Sequence, residues 1–302
     1  MDTNVEELDL TRTRQKQIQG LEHLTAIKSL CYRWNLLSKI ENLSHLVTLV
    51  ELDLYDNQIT KIENLDALVN LETLDLSFNR ITRIEGLDNL SKLKTLYLTH
   101  NKLEKMENFD KLANLEYLEL GDNRIKCIEN LGNNTKLERL FLGANQIRKI
   151  ENLDSLKSLK VLSLPCNAIE KIEGIDELVN LEQLLLCQNG IKAISGLVNN
   201  TKLQILGLNS NRLERITEVG HLKCLTDFWA KSNQLNTWSD VKVLAGLPQL
   251  SLVYLEMNPF SRDGGYRKRV ELLLSHVERI DSAYVACHGV SQIKCDSDAE
   301  AQ

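Results

Sequence analysis

The chain has 302 residues, 43% of them hydrophobic and 26% charged, with a formal net charge of −6. This ordinary globular composition excludes two classes: no basic stripe marks a nucleic-acid binder, and no apolar run reaches the length of a membrane span. The opening Met-Asp-Thr-Asn-Val-Glu-Glu lacks a leader's features, and seven cysteines without a C-x-x-C pair point to a reducing compartment.

Taken in order, Leu8, Leu10, Ile18, Leu21 and Leu24 form a degenerate first unit with Thr13 in its polar slot. Asparagine then recurs every 22 residues, at Asn35, Asn57, Asn79, Asn101, Asn123, Asn145, Asn167, Asn189, Asn211 and Asn233. Such a period means one supersecondary unit copied in tandem. Around Asn57 the unit reads Leu49, Leu52, Leu54, Asn57, Ile59, Ile62, Leu65, Leu68. The Leu52–Leu54 dyad alternates with period two, which predicts a short strand with one buried face. The residues after Asn fall at spacings of three, which suits a 3₁₀-like return. One coil cannot bury its own leucines, so stacked coils must bury them against each other, with their strands paired in a parallel sheet. The Asn amide sits in the bend and is expected to satisfy backbone groups of its own and the adjacent coil.

Asn258 follows Asn233 by 25 residues, a three-residue insertion, and Pro259 and Gly264–Gly265 end the pattern. Val270, Leu273, Leu274 and Val277 then follow at helical spacing and predict a cap over the last coil. The expected organisation is a solenoid over 1–259, a cap over 260–285 and a polar, acidic, disordered tail over 286–302. Asn134 and Asn200, in a shared Asn-Asn-Thr-Lys-Leu string, are expected on the outer surface. Sequons at Asn42, Asn89, Asn133 and Asn199 carry no weight in an intracellular chain. Glutamates six residues after each Asn, from Glu41 to Glu173, mostly preceded by Lys or Arg in K-I-E-N-L strings, read as a solvated edge of alternating sign.

The unit resembles the leucine-rich repeat. That resemblance implies an α/β solenoid: a right-handed arc of about twelve 22-residue coils, with the parallel sheet on its concave face, short 3₁₀ or helical segments on its convex face, and a C-terminal helical cap.

Strand side chains alternate, so residues six, four and two before each Asn face the concave side, with the residue just before Asn at the rim. The central column reads Cys31, Asp53, Asp75, Tyr97, Glu119, Phe141, Ser163, Leu185, Gly207, Trp229 and Tyr254. Of three Trp, seven Tyr and five Phe, eight occupy these exposed slots: Trp34, Tyr55, Phe78, Tyr97, Tyr117, Phe141, Trp229 and Tyr254. Eight acids, including Glu51, Asp56, Asp122, Asp227 and Glu256, share the face with only Arg33, Arg139 and Lys231 as fixed positive charges. Large aromatics on an open face with charge of one sign point to a docking groove for a basic protein surface.

No phosphate-loop, dinucleotide, zincin or serine-hydrolase string occurs, and the six histidines are dispersed. His23, His45 and His221 share an outer slot, His100 lies at the rim, and Cys166 and Cys187 fall on adjacent coils as free thiols. No catalytic, cofactor-binding or metal-ligating residue is expected, and the protein is not expected to be an enzyme.

The strings Leu-Asp-Leu-Tyr-Asp-Asn (52–57), Leu-Asp-Leu-Ser-Phe-Asn (74–79), Leu-Glu-Leu-Gly-Asp-Asn (118–123) and Leu-Phe-Leu-Gly-Ala-Asn (140–145) lead into Asp-Phe-Trp (227–229) and Tyr-Arg-Lys-Arg-Val (266–270). Over about residues 5–285 the chain resembles the leucine-rich-repeat regulatory subunits of protein phosphatase type 1, the regulatory subunit 7 family. The K-I-E-N-L string is shared with axonemal dynein light-chain and spliceosomal A-prime-type proteins, which have fewer coils. The resemblance implies a non-catalytic subunit that grips the phosphatase catalytic subunit along the concave face, in nucleus and cytoplasm, linked to mitosis and holoenzyme assembly. A small inhibitor subunit can join the complex; no nucleic acid or membrane is implied. The family's contact slots hold Asp75, Tyr97, Glu119, Phe141, Asp227, Trp229 and Tyr254, to which the face itself adds Asp53, Tyr117 and Glu256. Leu185 and Gly207 depart from the pattern, which predicts two separated contact clusters. The competing expectation is a structural adaptor for a cytoskeletal, centrosomal or axonemal partner.

Overall fold

The computed structural model describes residues 4–285, so the tail expected at 286–302 lies outside the described residues. Twelve three-residue strands, from Glu7–Asp9 to Leu252–Tyr254, pair in parallel and in sequence order. The coils are numbered here by these strands, so Thr13 belongs to coil 1, Asn57 to coil 3 and Asn258 to coil 12. Register is one period per step: Leu52 pairs with Leu74, Asp53 with Asp75, and Tyr97 with Glu119. Identical slots therefore stack into columns, with leucines and isoleucines in one continuous core and the residues on either side of each buried strand Leu facing out.

The returns are successions of single turns. In coil 3, Leu68 N–H donates to Leu65 O at 2.9 Å and Leu71 N–H to Leu68 O at 3.0 Å. These are the i→i+3 bonds that the spacing of three predicts. A true helix, α1 (Trp238–Leu244), forms in coil 11, where the three inserted residues give the return room for it. The Asp240 carboxylate, 4% exposed, holds it to coil 10 by accepting from Arg215 Nε and Nη2 at 2.6 and 2.8 Å and from Ile216 N–H.

Each ladder Asn does more than fill a bend. Asn79 donates to Leu54 O in the preceding coil and to Leu76 O and Ser77 O in its own, while its Oδ1 accepts from Ile59 N–H. Thr13 joins the same ladder through Asn35 Oδ1 at 3.1 Å. A second ladder runs seven residues further on. Asn42, Asn64, Asn108, Asn130 and Asn152 each donate to a carbonyl 24 residues back, from a left-handed backbone with φ between 56 and 63°. Where glycine takes this slot the coils approach closely: a Cβ on Gly174 would lie 2.4 Å from Ile150 O.

Asn134 and Asn200 are not on the outer surface. Both are 0% exposed, in the column otherwise held by leucines such as Leu112, and their amides donate to two carbonyls of the coil before. The amide N–H groups use the second lone pair of carbonyls that already accept one turn N–H, while each Oδ1 is buried without a partner among the described residues.

After coil 12 a 3₁₀ turn (Pro259–Arg262) and α2 (Tyr266–Leu273) cover the end of the core. The helix stops at Leu273, so Val277 packs from the turn beyond it, and two short strands follow that helical spacing does not predict. Arg279–Ile280 continues the sheet in parallel and Ala283–Tyr284 folds back on it. Asp281 accepts Leu255 N–H, a bond that a further coil would otherwise supply, together with Glu256 N–H and Tyr266 O–H at 3.0 Å. No helix among the described residues is long and apolar enough to cross a membrane.

Candidate partner-binding face

The inner-face side chains stand where strand alternation places them, but half-buried rather than free. Asp53, Asp75, Tyr97, Glu119, Phe141, Trp229 and Tyr254 are all of intermediate exposure, as are Tyr117, Asp227 and Glu256. Coils a strand spacing of about 4.8 Å apart let each ring lean on the next, which covers one face and leaves the other in water. Ser163 and Gly207 are buried, so the middle of the column is low.

Two clusters are resolved. In coils 5–7, Tyr97, Tyr117 and Phe141 stack in series with centroids 5.0 and 5.1 Å apart, and Tyr117 O–H donates to Glu119 at 2.9 Å. Burial, then the Glu119 carboxylate, raises the Tyr97 phenol, and burial with that hydrogen bond raises Tyr117 further. Beside them a depression of about 380 Å³ is lined by Cys31, Arg33, Asp53, Asp75 and Tyr97 among others. Burial raises the carboxyls of Asp53 and Asp75 above the usual range, and for Asp75 the Asp53 charge adds to it. Arg33 offsets Asp53 only in part, at 3.4 Å. These acids carry a charge the solvent does not fully stabilise, which a cation from a partner would.

The second cluster is Trp229 and Tyr254, edge to face at 6.4 Å, flanked by Asp227 and by Glu256, which pairs with Lys231 at 2.6 Å. The two departures now have a physical account. A Cβ on Gly207 would lie 3.1 Å from both Leu185 Cδ2 and Trp229 Cε3, so the indole leans across Gly207 toward Leu185. Gly207 is the seat of the tryptophan, and Leu185, Gly207 and Trp229 form one low apolar floor between the acidic ends. Trp229 Nε1 is buried there without a partner among the described residues.

A third feature is a ridge along the rim of coils 2–5. Trp34, Tyr55, Phe78 and His100 stack in an unbroken series at 6.0, 4.9 and 4.5 Å, with Arg12 over Trp34, Arg33 over Tyr55, and His100 Nδ1 on the Asp122 carboxylate. Sequence reasoning placed these rings singly and missed the series. The residue before every ladder Asn is left-handed, with φ of 51–60° in every coil after the first, and this turn throws Trp34, Phe78 and His100 outward, while Tyr55, two residues before Asn57, bridges Trp34 and Phe78 from the neighbouring column. The available signal was four bulky rings in consecutive units. Elsewhere, His45 and His221 bond carbonyls of the coil before them, and Cys166 Sγ donates to Gln188 Oε1 at 2.7 Å. Among the described residues no acid, His and Cys cluster is placed to hold a metal.

Comparison with known proteins fits this geometry. The Leucine Rich repeats (2 copies) family matches in five overlapping stretches between residues 47 and 178. A leucine-rich-repeat protein of Leptospira interrogans has a solved structure that superposes with a TM-score of 0.79 at 30% identity, over 86% of this chain and 67% of that one. The chain belongs to the leucine-rich-repeat proteins. Protein phosphatase 1 regulatory subunit 7 of Mus musculus is 52% identical over 51 residues, 17% of this leucine-rich-repeat chain and 14% of that protein. Protein phosphatase 1 regulatory subunit SDS22 of Schizosaccharomyces pombe is 38% identical over 67 residues, 21% of this chain and 20% of its own. The matched stretch thus spans about one seventh to one fifth of these relatives' lengths.

Proposed function

We propose that this leucine-rich-repeat protein is a non-catalytic regulatory subunit that binds the catalytic subunit of protein phosphatase type 1 through its acidic, aromatic concave face. The observation that carries the reading is the pairing of stacked, half-exposed rings with incompletely neutralised carboxylates on one face, in two clusters joined by an apolar floor. Tyr97, Tyr117, Phe141, Trp229 and Tyr254 supply desolvated contact area, and Asp53, Asp75, Glu119, Asp227 and Glu256 set orientation and encounter rate against a basic surface. Partial similarity to phosphatase regulatory subunits supports the choice of partner. Control of holoenzyme assembly, activity or location in nucleus and cytoplasm, with room for a small inhibitor subunit, follows from the same reading.

The test is titration calorimetry of the purified chain against the phosphatase catalytic subunit, with Phe141→Ala and Trp229→Ala. One-to-one binding is expected, weakened by about 2 kcal/mol, or roughly thirtyfold, in each variant. Undiminished affinity in both variants would overturn the assignment of the face. Recovery of tubulin or motor subunits and no phosphatase in an affinity purification would replace the reading with a cytoskeletal adaptor.

A further inference from the structure

A chain of net charge −6 gathers ten of its 36 Lys and Arg side chains on one flank. In coils 3–8 the slots one, three and four residues after the ladder Asn hold ten basic side chains and two acidic ones, Glu104 and Glu170. No basic stripe is visible along the sequence, because these residues are spaced a full coil apart; winding brings them together. The neighbouring glutamate column does not cancel them all. Its half-buried carboxylates pair with the slot four after Asn, as Glu107 does with Arg83, Glu63 with Lys61 and Glu151 with Lys149. The outer residues Arg80, Lys102, Arg124, Lys126 and Arg148 are exposed and make no ion pair among the described residues.

The same flank is recessed. A depression of about 400 Å³ lies among Arg83, Lys102, Lys105 and Arg124, with Glu104 and Glu107 also in its lining, and one of about 580 Å³ among Lys126, Arg148 and Lys149, with Glu151 beside them. Neither is lined by an inner-face residue, so this surface is separate from the phosphatase-binding face.

We propose that this flank, centred on Lys102, Arg124, Lys126 and Arg148, is a second docking surface that takes an extended acidic polypeptide segment. From Arg80 in coil 4 to Arg148 in coil 7, three coil steps near 4.8 Å give a track on the order of 14 Å, enough for about four extended residues. Exposed, unpaired guanidinium and ammonium groups suit carboxylates in rows. A nucleic acid fits less well, because no aromatic ring on the flank offers a base a stacking surface. The inference is independent of the phosphatase reading, since it uses none of the same side chains.

The test uses the whole chain and a short fluorescein-labelled Glu/Asp peptide, followed by fluorescence anisotropy at low and moderate salt. A labelled single-stranded oligonucleotide of equal length runs beside it. Binding of the peptide is expected, falling with salt, and weakened about tenfold or more in the triple variant Lys102→Glu, Arg124→Glu, Arg148→Glu. Phe141→Ala is expected to leave it unchanged, and these exposed reversals should leave the far-UV circular dichroism intact. No peptide binding at low salt, equal loss in Phe141→Ala, or tighter binding of the oligonucleotide than of the peptide would each overturn the proposal.

Discussion

Asn79→Ala tests whether the ladder, rather than the leucines alone, holds the inner face in shape. The side chain is 6% exposed; its two amide N–H groups are shared among three carbonyls at 3.0, 3.1 and 3.1 Å, and its Oδ1 accepts from Ile59 N–H at 2.9 Å. At a net ~0.5–1.5 kcal/mol for each of the two donors and the acceptor, the side chain contributes about 1.5–4.5 kcal/mol, and the orphaned Ile59 N–H lies too deep for water to replace its partner. We expect a loss of about 3–4 kcal/mol, read by urea denaturation followed by far-UV circular dichroism. Asn101 makes the same contacts from a half-buried position, so water can substitute and Asn101→Ala should cost less. A loss under about 1 kcal/mol at Asn79, or equal losses at the two sites, would refute the reasoning.

Three further outcomes follow from the same geometry. Gly174→Ala should destabilise by more than Gly20→Ala, because both have positive φ but only Gly174 faces a carbonyl, at 2.4 Å; equal shifts in Tm would remove close approach as the cause. Gly207→Val should unseat Trp229, moving the tryptophan emission to the red and lowering partner affinity by the same order as Trp229→Ala; an unchanged spectrum would show that the indole does not rest there. Burial raises the Asp53 and Asp75 carboxyls above their ordinary range, so the folded chain keeps these protons to higher pH than the unfolded chain, and their ionisation lowers stability as pH rises through that window. A cationic partner favours the ionised forms, binding then releases protons, and affinity should rise with pH across the same window; Asp75→Asn should flatten this dependence in calorimetry run at several pH values.

The sequence made the solenoid legible because its information is periodic: the Asn spacing, the Leu dyad and strand alternation each fix one direction in space. Alternation alone identified the side of the sheet on which Tyr97, Phe141 and Trp229 stand. Relations between coils were harder to read. Residues 22 apart become neighbours, so the Trp34–His100 series, the seat that Gly207 gives Trp229 and the basic flank all appear as scattered single letters. Asn134 and Asn200 misled because polarity usually marks an outer slot, whereas here carbonyls of the preceding coil, each already accepting one turn N–H, have a second lone pair for an amide donor. The K-I-E-N-L strings held a second ladder in their Asn, and attention to their charges concealed it. The helix α1 was foreshadowed by the three-residue insertion at Asn233–Asn258, which gave its place but not its form.

The ladders also bear on how the binding face works. Each strand is three residues long, too short to hold a precise surface by itself, yet every strand from coil 2 onward is bonded on both sides and each bend is tied by amides to the coil before. The backbone beneath the rings is therefore fixed before a partner arrives, and little ordering entropy remains to be lost in the sheet on binding. Freedom is left in the side chains, and lateral stacking already restricts several of those. Affinity then depends on what stands in each slot rather than on loop movement. A column that runs from carboxylates through rings to a low apolar floor, and back to rings and carboxylates, can reject a partner by a single misplaced group. Gly207 is the sharpest case, because the absence of a side chain there sets the position of the largest ring on the face.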